Sequence, residues 1–354
     1  MSAHPYQTQP PFAFWRRAIS QLPYAEVDPV VSAYFPLRST DKVATAGSCF
    51  AQHISRHLSA IGFNFYVTED AHPIVRDFVS VDYNYGIYTA RYGNIYTSRQ
   101  LLQLFRRAHN QFSPVDDIWE RADGKLVDPF RPQISPEGYF SEAELHADRE
   151  HHLACVRTAF ENLDVFIFTL GLTETWYSRQ DGAVFPICPG VAGGVYDESH
   201  YGFANLRVAD VVDDMGSFIA LLRGVNPTAR VLLTVSPVPL IATAENRHVL
   251  VSTTYSKSAL RAACEEITAE HENVFYFPAY EIITGGFNRG RYYAADARDV
   301  TEEGVEHVMR LFSKYYAVQG PPPATSTAPT APANPEAEFE RVVRVICDEE
   351  ALDK

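Results

Sequence analysis

The sequence predicts an α/β protein in which a parallel sheet is covered by helices on both faces. Three observations carry this prediction. Four short apolar runs, at 42–46, 165–170, 230–235 and 274–277, suit strands buried on both sides. Stretches of helical periodicity lie between them, the alternation that produces a parallel sheet. Polar residues follow the runs, at the carboxyl ends where such folds place their sites.

The bulk properties agree and exclude several function classes. At 354 residues and 46% hydrophobic content the chain can bury a sizeable core, as one large decorated domain or two ordinary ones. A formal charge of −14 disfavours phosphate backbones and anionic membranes, and the basic pairs Arg16-Arg17 and Arg106-Arg107 are isolated, so no nucleic-acid partner is expected. The start, Met1 to Tyr6, lacks signal-peptide features, and no apolar run is long enough to span a bilayer, which gives a cytoplasmic expectation. Five scattered cysteines (49, 155, 188, 264, 347) without CxxC spacing suggest neither disulfides nor zinc, and no metal or cofactor is expected.

Taken in order, Phe12 to Ile19 reads as a short amphipathic helix preceding the first strand. Lys42 to Ala46 is that strand, Gly47 permits a tight turn, and Ser48 and Cys49 fall where the next helix begins, with Gly62 closing it. His53 and His57, four apart on this helix, have the spacing of a metal pair but no third ligand, so a structural or surface role is expected. Residues 82–97, with five tyrosines and Gly86 and Gly93, have aromatic-loop composition suited to a pocket wall or to packing over the core, with Asn94 the polar residue to watch. Ser98 reads as the cap of a helix. Trp119 to Val127 reads as a hairpin turned by Asp123-Gly124, and Ser141-x-x-Glu144 as a capping box opening a helix to about Asn162.

The second strand, Val165 to Leu170, leads into Gly171, Thr173 and Glu174. A helix over 207–224 precedes the third strand, Arg230 to Val235, and the loop Ser236 to Pro239. Ser256 reads as the cap of a helix reaching about His271, before the fourth strand, Val274 to Phe277. Thr301 caps a final helix carrying Val305, Val308, Met309 and Phe312. The domain is thus expected over 1–317, followed by a Pro/Ala/Thr-rich linker at 318–335 and an amphipathic helix at 336–354 that docks on its own domain or on a partner.

The Gly47-Ser48-Cys49 elbow admits two readings. Ser48 caps the helix and Cys49 is a small buried residue; or one of them is a nucleophile, since the first helical turn offers unsatisfied N–H donors and a positive dipole end. Local pattern alone favours the first.

Several separated stretches resemble the bacterial GSCFA family of the SGNH/GDSL hydrolase superfamily: Gly47 to Ala51 itself, His4-Pro5-Tyr6, Phe14-Trp15-Arg16, Arg91 to Tyr96, Gly171 to Glu174, Ser236 to Pro239, Ser256-Lys257-Ser258, Tyr276-Phe277-Pro278 and the segment around Asp296. The resemblance implies a three-layer α/β/α fold with a doubly wound, mostly parallel sheet of the SGNH/flavodoxin-like kind, carrying loop and hairpin insertions. It implies acyl-ester chemistry with the nucleophile on the elbow. Setting Gly-Asp-Ser beside Gly47-Ser48-Cys49 puts Cys49 at the nucleophile position, with Ser48 the alternative. An oxyanion or substrate-binding set follows from Gly47, Asn94, Gly171, Thr173 and Glu174.

The departures are informative. Where the superfamily carries Asp-x-x-His, this chain reads Asp296-Ala297-Arg298-Asp299, with His307 two turns further on. Glu174 occupies the block of the oxyanion asparagine, leaving Asn94 as the candidate donor. Loss of the histidine favours a thiol over a hydroxyl, because a cysteine at a helix N-terminus needs less help from a base.

The expected function is an esterase or O-acyltransferase acting on acyl, in the first place acetyl, esters of a carbohydrate or polar metabolite, with an acyl-thiol as a further donor. Asp296, Asp299 and His307 are its candidate acid/base groups. The alternatives are a binding protein that keeps the pocket without the base, and an interaction protein working through its last helix.

Overall fold

The structure, a computed structural model, describes residues 4–75, 77–317 and 348–353. In chain order the elements are β1 (Val43–Gly47), α1 (Ala51–Ala60), α2 (Asp77–Asp82), α3 (Ser98–Ala108), β2 (Trp119–Glu120), β3 (Leu126–Val127), α4 (Glu142–Asn162), β4 (Val165–Leu170) and β5 (Glu174–Ser178). Then come β6 (Val184–Phe185), β7 (Tyr201–Asn205), α5 (Val208–Val225), β8 (Arg230–Val235), α6 (Val249–Glu270), β9 (Val274–Tyr276), α7 (Ala279–Thr284) and α8 (Glu302–Tyr316).

Four strands form the central sheet in the order β1-β4-β8-β9, every pair parallel. Alternate residues serve opposite faces, as strand geometry requires. Phe166, Phe168 and Leu170 of β4 pack with α3, α4, α5 and α6 through Phe105, Phe160, Phe218 and Leu260. Val165 and Ile167 pack with α1, α7 and α8 through Leu58, Ile283 and Phe312. The result is the expected three-layer α/β/α arrangement.

The winding reverses at β1. Outside it, Phe65 makes a parallel bridge to Val43, with Val43 N–H donating to Asn64 O at 3.0 Å and Tyr66 N–H to Val43 O at 2.9 Å. The chain therefore moves outward from β1 first and then returns to the other side through β4. Ligand sites in such sheets lie at the carboxyl ends of the strands flanking this reversal, here the ends of β1 and β4.

Some local expectations shift. Phe12 to Ile19 forms a short 3-10 turn and a π-type turn, with Trp15 exposed, because this segment has no sheet face to cover. Thr97, not Ser98, caps α3: its hydroxyl accepts from Gln100 N–H while the Gln100 side chain accepts from Thr97 N–H. Ser256 lies inside α6, which begins seven residues earlier at Val249, and its buried hydroxyl accepts the Thr173 N–H at 3.0 Å. The hairpin β2–β3 forms with Gly124 in the left-handed region. A second, antiparallel sheet, β6-β5-β7, packs with it around Trp119, Phe185 and Tyr201. The expected linker and residues 336–347 and 354 lie outside the described residues, while Asp348–Asp353 forms a 3-10 helix. Among the described residues no helix is long and apolar enough to cross a membrane.

Candidate active site

The elbow is built by close backbone approach. Gly47 has φ +141°, and a Cβ there would lie 2.3 Å from Thr169 O on β4. Ser48 N–H donates to that same oxygen at 3.2 Å. A Cβ on Gly171 would come within 2.8 Å of Ser48 Cβ, so glycine is required on both sides of the contact. The Ser48 hydroxyl is buried and has no hydrogen-bond partner among the described residues. Cys49, one residue on, faces a cavity of about 870 Å³ whose wall also carries His53, His57, Arg298, Asp299 and Glu350.

Asn94 reaches the elbow by a separate route. Ile95 N–H donates to Gly47 O at 2.8 Å, and Tyr96 O accepts the N–H groups of Gly171 and Leu172, so the 94–96 strip bridges the ends of β1 and β4. Gln52 on α1 donates to Asn94 Oδ1 at 3.3 Å, which leaves the Asn94 amide N–H groups directed elsewhere; one meets Asp348 Oδ2 at 2.9 Å. Behind the strip lies a buried ionic network. Arg91 N–H donates to Glu69 Oε2 at 2.7 Å, the Arg91 guanidinium pairs with Asp148, and Arg131 links Asp148 to Asp128. Burial pushes the Glu69 carboxyl up, but His152, Arg131 and the Arg91 N–H outweigh it and hold it near 2. The network fixes the backbone that carries Asn94.

The remaining candidates divide. Thr173 is buried and donates its hydroxyl to Asn205 Oδ1 at 2.7 Å; Glu174 accepts from Thr243 and from Ala244 N–H. Thr173 ties the end of β4 to β7, and Glu174 holds the loop after β8. Asp296 accepts from the N–H groups of Arg298 and Asp299, fixing a turn in which Ala297 has positive φ. That turn presents Asp299, exposed, to the cavity. His307 does not join this group. Its Nδ1 meets Tyr292 OH at 2.6 Å and its Nε2 meets Val27 O at 2.9 Å, so both ring nitrogens tie α8 to neighbouring segments. The cavity wall takes Glu306 and Met309 from α8, on the helix faces beside it.

Reasoning from sequence missed three features. His53, considered as half of a metal pair, shares the cavity with Cys49, four residues away in sequence; burial and the Arg56 charge lower it to about 4, keeping the imidazole neutral at ordinary pH. His57 bonds to Ser313, and among the described residues no three metal-binding side chains cluster. Gln52, which orients Asn94, carries no sequence signal. Asp348, Glu349 and Glu350 arrive from some 250 residues beyond Asn94, and no local spacing could announce them.

Among solved structures, an acetyl xylan esterase (Est2A) from the rumen bacterium Butyrivibrio proteoclasticus is similar at 14% identity, with a TM-score of 0.22, over 69% of this chain and 56% of that one. The chain thus matches little more than half of that protein's length. No curated protein matches the chain. The profile of the GSCFA family matches residues 42–312, from the first residue before β1 into α8, and so spans the elbow, the Asn94 strip and the Asp296–Asp299 turn. This chain belongs to the GSCFA family.

Proposed function

We propose that this protein is an esterase-like hydrolase of acyl esters, with Cys49 as nucleophile. The observation that carries the reading is the division of labour at the elbow: Cys49 lines a cavity large enough for a small ester, whereas the Ser48 hydroxyl is buried. Asn94, oriented by Gln52, is the donor for the oxyanion.

In the proposed cycle Cys49 Sγ attacks the ester carbonyl carbon, and the carbonyl oxygen gathers negative charge opposite the Asn94 amide. The neutral His53 imidazole accepts the thiol proton and returns it to the departing alkoxide as the C–O bond breaks. Water then cleaves the thioester, releasing the acid and restoring the thiol. An alcohol in place of water makes the same intermediate a route to O-acyl transfer. The substrate class proposed is a small polar or carbohydrate acetyl ester.

The test is hydrolysis of 4-nitrophenyl acetate by Cys49→Ala and Ser48→Ala. Turnover is expected to fall by about a thousandfold or more in the first and to stay within about tenfold in the second. Equal turnover in wild type and Cys49→Ala removes the assignment. A second reading, a binding protein that has lost catalysis, is favoured by Asp299 standing in the place of a histidine and by the engagement of His307 elsewhere. Ligand binding without any acyl adduct on Cys49 would select it.

A further inference from the structure

The segment Asp348–Asp353 folds as a 3-10 helix whose first residue bonds to Asn94 and Tyr96. Asp348 and Glu349 are both buried, an unusual fate for adjacent carboxyls. Asp348 Oδ2 accepts from Asn94 Nδ2 at 2.9 Å and from Tyr96 OH at 3.4 Å, and Asp348 N–H donates back to Tyr96 OH at 2.9 Å. Gln133 donates to Asp348 O at 3.4 Å. Glu349 lies 3.6 Å from Arg298, and Glu350 shares the cavity wall with Cys49, which is 4% exposed.

We propose that Asp348–Asp353 is a displaceable closure of the elbow site, its Asp348 carboxyl seated on the Asn94 amide where a substrate carbonyl oxygen binds, and that it opens as pH rises. This rests on the esterase reading, because only there is Asn94 the oxyanion donor. A carboxyl oxygen on that amide and an ester carbonyl on that amide exclude one another.

The charge environment supplies the pH dependence. Asp348 faces the neutral donors Asn94, Tyr96 and Gln133; Arg131, across a small cavity, is committed to Asp128 and Asp148. Glu349 faces two cations, Arg298 and Lys257, and two carboxyls, Asp348 and Glu174. Burial raises Asp348 from 3.8 to about 6 against the opposing hydrogen bonds from Asn94 and Tyr96, and burial likewise raises Glu349. The docked segment holds its protons more tightly than a released one. Docking is therefore at full strength below the ordinary carboxyl range and weakens as pH climbs through the docked values.

The experiment compares the full-length wild type with Asp348→Asn/Glu349→Gln, which removes the ionisation and keeps the shape, and Asp348→Lys/Glu349→Lys, which sets cations against Arg298 and Lys257. Thermal midpoints establish that all three fold. The reading is the rate of iodoacetamide alkylation at Cys49, resolved by peptide mass spectrometry, compared between proteins at one pH so that thiol ionisation cancels. Wild type should already exceed the neutral variant at about pH 5.5, and the ratio should rise by a further tenfold or more by about pH 8, with the lysine variant fast at both. Equal rates in all three, or a wild-type to neutral ratio that does not change with pH, overturns the closure. Hydrolysis of 4-nitrophenyl acetate separates the two claims. Alkylation that follows the closure without hydrolysis by any protein removes the esterase reading alone. Hydrolysis dependent on Cys49, with alkylation indifferent to the variants, removes the closure alone.

Discussion

Replacing Gly47 with alanine tests the elbow at the closer of its two glycine contacts. The new Cβ would stand 2.3 Å from Thr169 O, 2.7 Å from Thr169 Cβ and 2.8 Å from Thr169 N, three atoms of the adjacent strand rather than the end of a flexible side chain. Relief requires β1 and β4 to part by about 1 Å at their carboxyl ends, which stretches the Ser48 N–H bond to Thr169 O and the Ile95 N–H bond to Gly47 O. Each buried bond lost costs about 1–2 kcal/mol. Holding a side-chain residue at φ +141° adds about 1–3 kcal/mol. The expected destabilisation is about 4 kcal/mol, a large share of the roughly 5–15 kcal/mol that holds a domain folded. Urea unfolding followed by circular dichroism measures it directly. A midpoint within error of wild type would refute the account of the elbow as a glycine-dependent contact between strands.

Two further outcomes follow from the buried polar groups. Glu69, held near 2 against its ordinary 4.5, contributes about 2–3 kcal/mol that is fully present above pH 4.5 and is lost as pH falls towards 2; Glu69→Gln should lower stability at neutral pH and flatten the acid limb of the stability curve, and an unchanged limb would argue against the network. His307→Gln should cost about 1–3 kcal/mol through the lost Tyr292 and Val27 bonds while leaving ester turnover within about threefold of wild type. A hundredfold loss of turnover at unchanged stability would instead return His307 to the catalytic set.

The sequence by itself determined the sheet and the turn on which the candidate site is built. Runs such as Val165 to Leu170 are apolar at every position, which only a strand covered on both faces tolerates, and Gly47 at the end of the first run marked the turn. It also marked Thr301 and Ser141 as helix caps, because capping is chemistry within one turn. It misplaced the caps at Ser98 and Ser256, where the caps are Thr97, one residue earlier, and His248, eight residues earlier, since a serine hydroxyl satisfies a neighbouring element as readily as its own helix.

Only the tertiary structure decided which polar side chains meet. Ser48 and Cys49 are adjacent in the chain and equally polar in pattern, yet the Ser48 hydroxyl is buried without a hydrogen-bond partner among the described residues while Cys49 lines the cavity. His307 and Asp299 both follow Asp296 closely, but the turn held by Asp296 carries Asp299 to the cavity while Tyr292 and Val27 claim both nitrogens of His307. Asp348 meets Asn94 across 254 residues of sequence separation. Local pattern fixes periodicity and turns, which depend on neighbours in the chain; hydrogen-bond partners are fixed by packing between elements, and that information is not local.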